Sequence, residues 1–186
     1  LTIQDVTFEL DGNMLEESKL KELSEQFLSL GETMVRLSRR YDPLILQVMR
    51  RVKPITQPET RTPEYLEAWV KDLSNLLASR SEKTVGFKTN VVYQQPNAWF
   101  ISVTVSLHGL DTEHVFSREF FSSNEYRRLS SIGEILDSRQ SALVVHRGEH
   151  THRAKSLRDG FDWLLQDTKK TVHVQRYKGL GEMNPE

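Results

Sequence analysis

Leu20, Leu23, Phe27, Leu30, Met34, Leu37 and Tyr41 follow one another at alternating spacings of three and four. Only an α-helix gathers such positions on one side, so the spacing predicts a helix of about six turns with a continuous apolar seam. Gly31, inside it, costs about 1 kcal/mol relative to alanine, which packing of the seam must offset. Asp42 is placed to cap, and Pro43 to open, a second short helix with Leu44, Ile45, Val48 and Met49 turned inward. Residues 53–62, with Pro54 and Pro58, read as a linker. Thr62-Pro63 then starts a third helix whose Leu66, Trp69, Val70, Leu73, Leu76 and Leu77 form a complementary stripe. The first and third helices are therefore expected to pack antiparallel, which makes the seam an intramolecular core and not a dimeric coiled coil.

Elsewhere the period drops to two. Val6, Phe8 and Leu10 alternate with Thr7 and Glu9 and predict a half-buried strand ended by Asp11-Gly12-Asn13. Val85, Phe87, Val91 and Tyr93, then Trp99, Ile101, Val103, Val105 and Leu107, predict a β-hairpin around Gln95-Pro96-Asn97. A turn at residues 108–111 leads to a third strand, Glu113 to Phe116. Ser122 with Glu125 has the spacing of a capping box for a helix lined by Tyr126, Leu129, Ile132 and Leu136. Ala142 to His146 is a short apolar strand. Ser156 with Asp159 opens another helix, with Leu157, Phe161, Leu164 and Leu165 inward and Lys169-Lys170 at its negative end. Residues 171–176 return to extended chain. The class is α+β, with a mainly helical part over about residues 1–82 and a mixed β/α part over about 83–170.

Charge and composition exclude more than they assign. The net charge is −1, split as 11 basic and 14 acidic groups in residues 1–82 against 14 and 12 in residues 83–186, too even to mark a nucleic-acid module. With no cysteine, disulfide and thiolate chemistry drop out, and a reducing, cytoplasmic setting is compatible. No apolar run reaches the length of a membrane span. No Gly-rich nucleotide loop and no short-range pair of nucleophile and base occurs.

Two constellations carry potential chemistry. His146, His150 and His152 could ligate a transition metal, but Arg147 and Arg153 repel cations, and a solvated loop is the expected arrangement. Arg36, Arg39, Arg40, Arg50 and Arg51 gather around the end of the first helix and on the second; a helix dipole and exposed faces account for them as well as a phosphate footprint does.

The last residues, Gln175-Arg176-Tyr177-Lys178-Gly179-Leu180-Gly181-Glu182-Met183-Asn184-Pro185-Glu186, follow a β-branched run. Two cations flank an aromatic, and two glycines let backbone approach a ligand closely. The segment reads either as a strand and basic loop facing a polyanion or as a strand end with a glycine turn. As a string it resembles the signature that closes the Toprim region of the DNA gyrase B subunits, the ATPase subunits of bacterial type IIA topoisomerases. The corresponding subunits of topoisomerase IV share the motif, usually with Phe where Tyr177 stands, and lack so long an insertion. Residues upstream resemble, through phrases such as Glu125-Tyr126-Arg127-Arg128 and His146-Arg147-Gly148-Glu149, the large insertion of Gram-negative gyrases.

The resemblance implies an insertion domain over residues 1–170 and the closing strand and loop of a Toprim (Rossmann-like) domain over residues 171–186. The chain, starting at Leu1 without an initiator Met, is then expected to be a piece of a longer protein, with the acidic Mg²⁺-holding signatures lying before Leu1. The parent would use Mg²⁺ and ATP, while this piece would hold no cofactor and be inactive alone. Its partners would be duplex DNA, the gyrase A subunit and the other domains of the gyrase B subunit, with no membrane. Lys178 is the expected phosphate contact, with Arg176, Tyr177, Gly179 and Gly181 beside it. Because an insertion must leave its host near where it enters, the chain around Leu1 and around residues 171–176 should lie close together. A reading of another class remains beside this one: an autonomous protein-docking module in which the terminal motif is only a turn.

Overall fold

A computed structural model describes residues 4–95 and 98–182, with side chains described as far as residue 172 except at residue 95. The fold is α+β, as expected: among the described residues there are six α-helices and two small antiparallel sheets. The chain divides into two compact units, Leu1–Ser29 with Ile135–Glu186, and Leu30–Glu134. These are not the helical and mixed parts expected from local periodicity. Strand β1 (Val6–Leu10) finds its partner in β6 (Leu143–Arg147), pairing Val6 with Arg147 and Leu10 with Leu143. Local patterns do not encode pairing over so long a separation.

In the first unit the sheet order is β2-β1-β6-β7, where β2 is Asn13–Met14 and β7 is His150–Ala154. The alternation in β1 buries Val6 and Phe8. Leu20, Leu23 and Phe27 from the start of α1 (Glu17–Leu37) and Phe161 from α6 (Leu157–Glu182) are buried in the same unit. The Phe161 ring sits 4.9 Å from that of Phe8 and 5.1 Å from that of Phe27. The seam predicted on α1 is buried at Leu20, Leu23, Phe27, Leu30 and Leu37 and half-buried at Met34, but the helix ends at Leu37, so Tyr41, expected to close the seam, lies beyond it.

The second unit is built on the meander β3 (Val85–Gln95), β4 (Ala98–Leu107) and β5 (Leu110–Ser117). The turn into β5 places His108 at φ 52° and Gly109 at φ 79°, and two successive positive φ values match the right-handed twist of a tight hairpin. Strand β5 begins three residues before the expected Glu113, because Leu110 already pairs with Leu107. Helix α2 (Pro43–Met49) starts as predicted, with the Asp42 carboxylate accepting from the Leu44 N–H at 2.8 Å. Helix α3 (Pro63–Arg80) is capped by Thr62. Its main neighbours are β3 and, secondarily, α2, whereas helical periodicity pointed to the first helix. An apolar stripe specifies burial without naming the surface that covers it.

Three further expectations need correction. Ser122 does not cap: it belongs to α4 (Arg118–Ser122), and Ser123, whose backbone is extended, accepts from the Tyr126 N–H at 3.2 Å to start α5 (Asn124–Asp137). Residues 53–62 are not a loose linker. Trp69 donates to the Lys53 carbonyl at 2.8 Å, Trp99 to the Pro58 carbonyl at 3.3 Å, and the Tyr126 hydroxyl accepts from the Ile55 N–H at 2.9 Å. Finally, the backbone of α6 continues through residues 171–176, where extended chain was expected. Among the described residues no strand pairs with that stretch, and a helix satisfies its own backbone where an unpaired strand cannot.

Candidate functional site

Helix α6 leads from the first unit's sheet into the terminal motif, so what holds α6 holds the motif's base. Its N-terminus is capped by Ser156, whose hydroxyl accepts from the Asp159 N–H at 3.1 Å, while the Asp159 carboxylate accepts from the Lys155 N–H at 2.9 Å. One turn on, Gly160 allows close approach to the sheet. A Cβ there would meet Val145 Cγ2 at 3.0 Å and Phe8 Cε2 at 3.1 Å.

Beyond that contact the interface becomes polar. Asp159, Trp163, Asp167 and Thr171 recur every fourth residue and form one row along α6. Facing them, His152 lies opposite Val145 and His150 opposite Arg147 in the β6–β7 ladder. The His152 ring stacks on Trp163, with centroids 5.3 Å apart and planes 7° apart, and its Nε2 is 3.4 Å from the Asp159 carboxylate. Arg147 Nη1 donates to Asp167 Oδ2 at 2.7 Å and to Thr171 Oγ1 at 3.3 Å. His150 Nδ1 is 3.1 Å from both Asp167 oxygens. Burial pushes the Asp167 carboxyl up, but the hydrogen bonds and charges of His150 and Arg147 outweigh it and hold the group below its ordinary value.

The three histidines therefore sit on a β-hairpin and not in a solvated loop, and each meets a carboxylate of its own: His146 pairs with Glu9 at 3.1 Å, on the sheet face away from the row. Among the described residues no group of three His, Asp or Glu is gathered to hold a metal ion. The cluster is an ionic clasp that can orient a helix. The four-residue spacing from Asp159 to Thr171 was the signal in the sequence that could have revealed it.

The residues expected to meet DNA stand further along the same helix. Arg176, Tyr177, Lys178, Gly179 and Gly181 belong to α6 by their backbone, and their side chains lie outside the described residues, as do Met183 to Glu186 altogether. In the second unit the arginine group divides. Arg50 is only 9 % exposed and packs its side chain against Gly133, so it cannot belong to a surface footprint. Arg36 donates to Thr33, and Arg40 lies over the Tyr41 ring at 5.6 Å.

Compared with known protein families, residues 6–168 match the DNA gyrase B subunit insert domain. The chain belongs to that family. The match runs from the first residue of β1 to the row on α6, covering both units of the insert domain and most of the clasp, and it stops before the terminal motif. Gyrase B belongs to the type II topoisomerases, which are enzymes. No described helix of the insert domain is long and apolar enough to cross a membrane.

Proposed function

We propose that this insert domain is a non-catalytic part of a gyrase B subunit that supports duplex DNA binding and couples its host to the gyrase A subunit during ATP-dependent negative supercoiling. The observation that carries the reading is that Gln4, Asp5 and Thr171 line one hollow of about 390 Å³ together with Arg147 and His150. Gln4 and Asp5 thus lie beside Thr171, the proximity that a body inserted into another domain needs if its host is to close around it. In this reading the clasp sets the direction in which α6 leaves, and Lys178 supplies a compact charge for a DNA phosphate, with Arg176 and Tyr177 beside it. Mg²⁺ and ATP are assigned to other parts of the cytoplasmic parent.

The test is a full-length gyrase B protein in which residues 6–168 are replaced by a short Gly-Ser linker. ATP hydrolysis should persist while DNA affinity and supercoiling fall. Supercoiling at the wild-type level would show that the insertion is dispensable and would end this reading.

A further inference from the structure

The core face of the second unit's sheet extends beyond its helical cover. Along that face Ile101 and Val103 are fully buried, but its end at the β4–β5 turn is open: Leu107 is 42 % exposed and Leu110 75 %. These two cross-strand partners line a cleft of about 480 Å³ whose opposite wall is the chain between α1 and α2. That wall contributes Arg39 and Arg40, both exposed, and the β4–β5 side adds His108 and His114. The carboxylate lining the cleft, Asp42, is engaged in capping α2. The result is an apolar floor under a cationic rim.

We infer that this cleft is a docking site for an acidic segment of another polypeptide, one that presents an apolar side chain between carboxylates. The rim selects the charge of the occupant, since a segment carrying Asp or Glu meets Arg39 and Arg40 while a basic one is repelled. The floor selects its class. A duplex backbone is polar and gains nothing from covering Leu107 and Leu110, whereas a Leu or Phe side chain removes that surface from water and fits a concavity of this size. The inference is independent of the DNA reading, which rests on residues of the other unit.

The experiment uses the whole chain and three fluorescent probes: the peptide Glu-Asp-Glu-Leu-Phe-Glu-Asp-Glu, the same peptide with Gly-Ser in place of Leu-Phe, and a short DNA duplex. The Leu-Phe peptide should bind saturably, and the Gly-Ser peptide at least about tenfold more weakly. Leu110→Asp and Arg40→Glu should each weaken the Leu-Phe peptide by about tenfold or more, with thermal unfolding little changed because both side chains are exposed and Arg40 gives up only a surface contact with the Tyr41 ring. Should Leu110→Asp lower the unfolding temperature, Arg39→Gln combined with Arg40→Gln provides the same reading of the rim. Equal binding of the two peptides, indifference to Leu110→Asp in a folded variant, or duplex binding that needs Arg39 and Arg40 but not Leu110 would each overturn the inference, the last in favour of a phosphate site.

Discussion

Arg147, on the third strand of a four-stranded sheet, donates to Asp167, three turns into the helix that leads out of the insert domain, across 2.7 Å. Both side chains are largely buried, at 25 % and 13 % exposed, so the pair is screened less than a surface ion pair.

Asp167→Asn should destabilise the chain by about 1–3 kcal/mol, since it leaves Arg147 and His150 facing a neutral amide. The effect depends on pH in a defined direction. The Asp167 carboxyl is lowered from 3.8, so its contribution is fully present above that value and is lost as pH falls through its folded value. Urea unfolding from pH 2 to pH 6 should show wild-type stability rising with pH across the acid range, and a shallower rise in the Asn variant. Parallel curves would mean that the clasp contributes nothing to folding.

Two glycines in helices should respond to alanine with opposite signs. At Gly31 an added Cβ meets nothing within 4 Å, so Gly31→Ala should stabilise by up to about 1 kcal/mol through helix propensity. At Gly160 the same Cβ presses on Val145 and Phe8, and overpacking of about 1–3 kcal/mol should exceed that gain. Thermal midpoints of the two variants decide it, and a stabilised Gly160→Ala would contradict the described fit of α6 on the sheet.

Tyr126→Phe removes the acceptor of the buried Ile55 N–H. An unsatisfied buried donor costs about 1–3 kcal/mol, and equilibrium unfolding of the variant should show a loss in that range.

Lys178→Ala in the full-length gyrase B protein should weaken DNA cleavage and supercoiling with little change in stability. Losing one phosphate contact should also reduce the slope of log affinity against log salt by about one. An unaltered slope with normal cleavage would make Lys178 an ordinary surface lysine.

What the sequence disclosed was local. The seam from Leu20 to Leu37, the caps at Asp42 and Thr62, and the hairpin around Pro96 all depend on neighbours within a few positions, and their elements appear where the spacing put them. Strand β7 escaped because its inward positions His150 and His152 face a polar row and only Ala154 is buried among apolar side chains, so the apolar alternation that signals a strand is missing. The clasp needed two elements at once: the four-residue spacing from Asp159 to Thr171 marks its side on α6, but nothing local to Arg147 says that it meets Asp167 until hairpin and helix are brought together. For the DNA-binding residues the sequence supplied the whole argument, since their side chains lie outside the described residues.

Residues 53–62 look like a place to cut, with two prolines, few apolar side chains and little regular structure. Yet Trp69, Trp99 and Tyr126 bond to the backbone of this stretch, and Ile55 and Pro58 are buried. A protease needs several residues of pliable, extended chain, and local opening here would break those bonds together. Limited digestion should leave the stretch whole while more exposed loops are nicked, and the Ile55 amide should exchange its hydrogen as slowly as a core strand. A boundary drawn from composition would split a folded unit at one of its tethered segments.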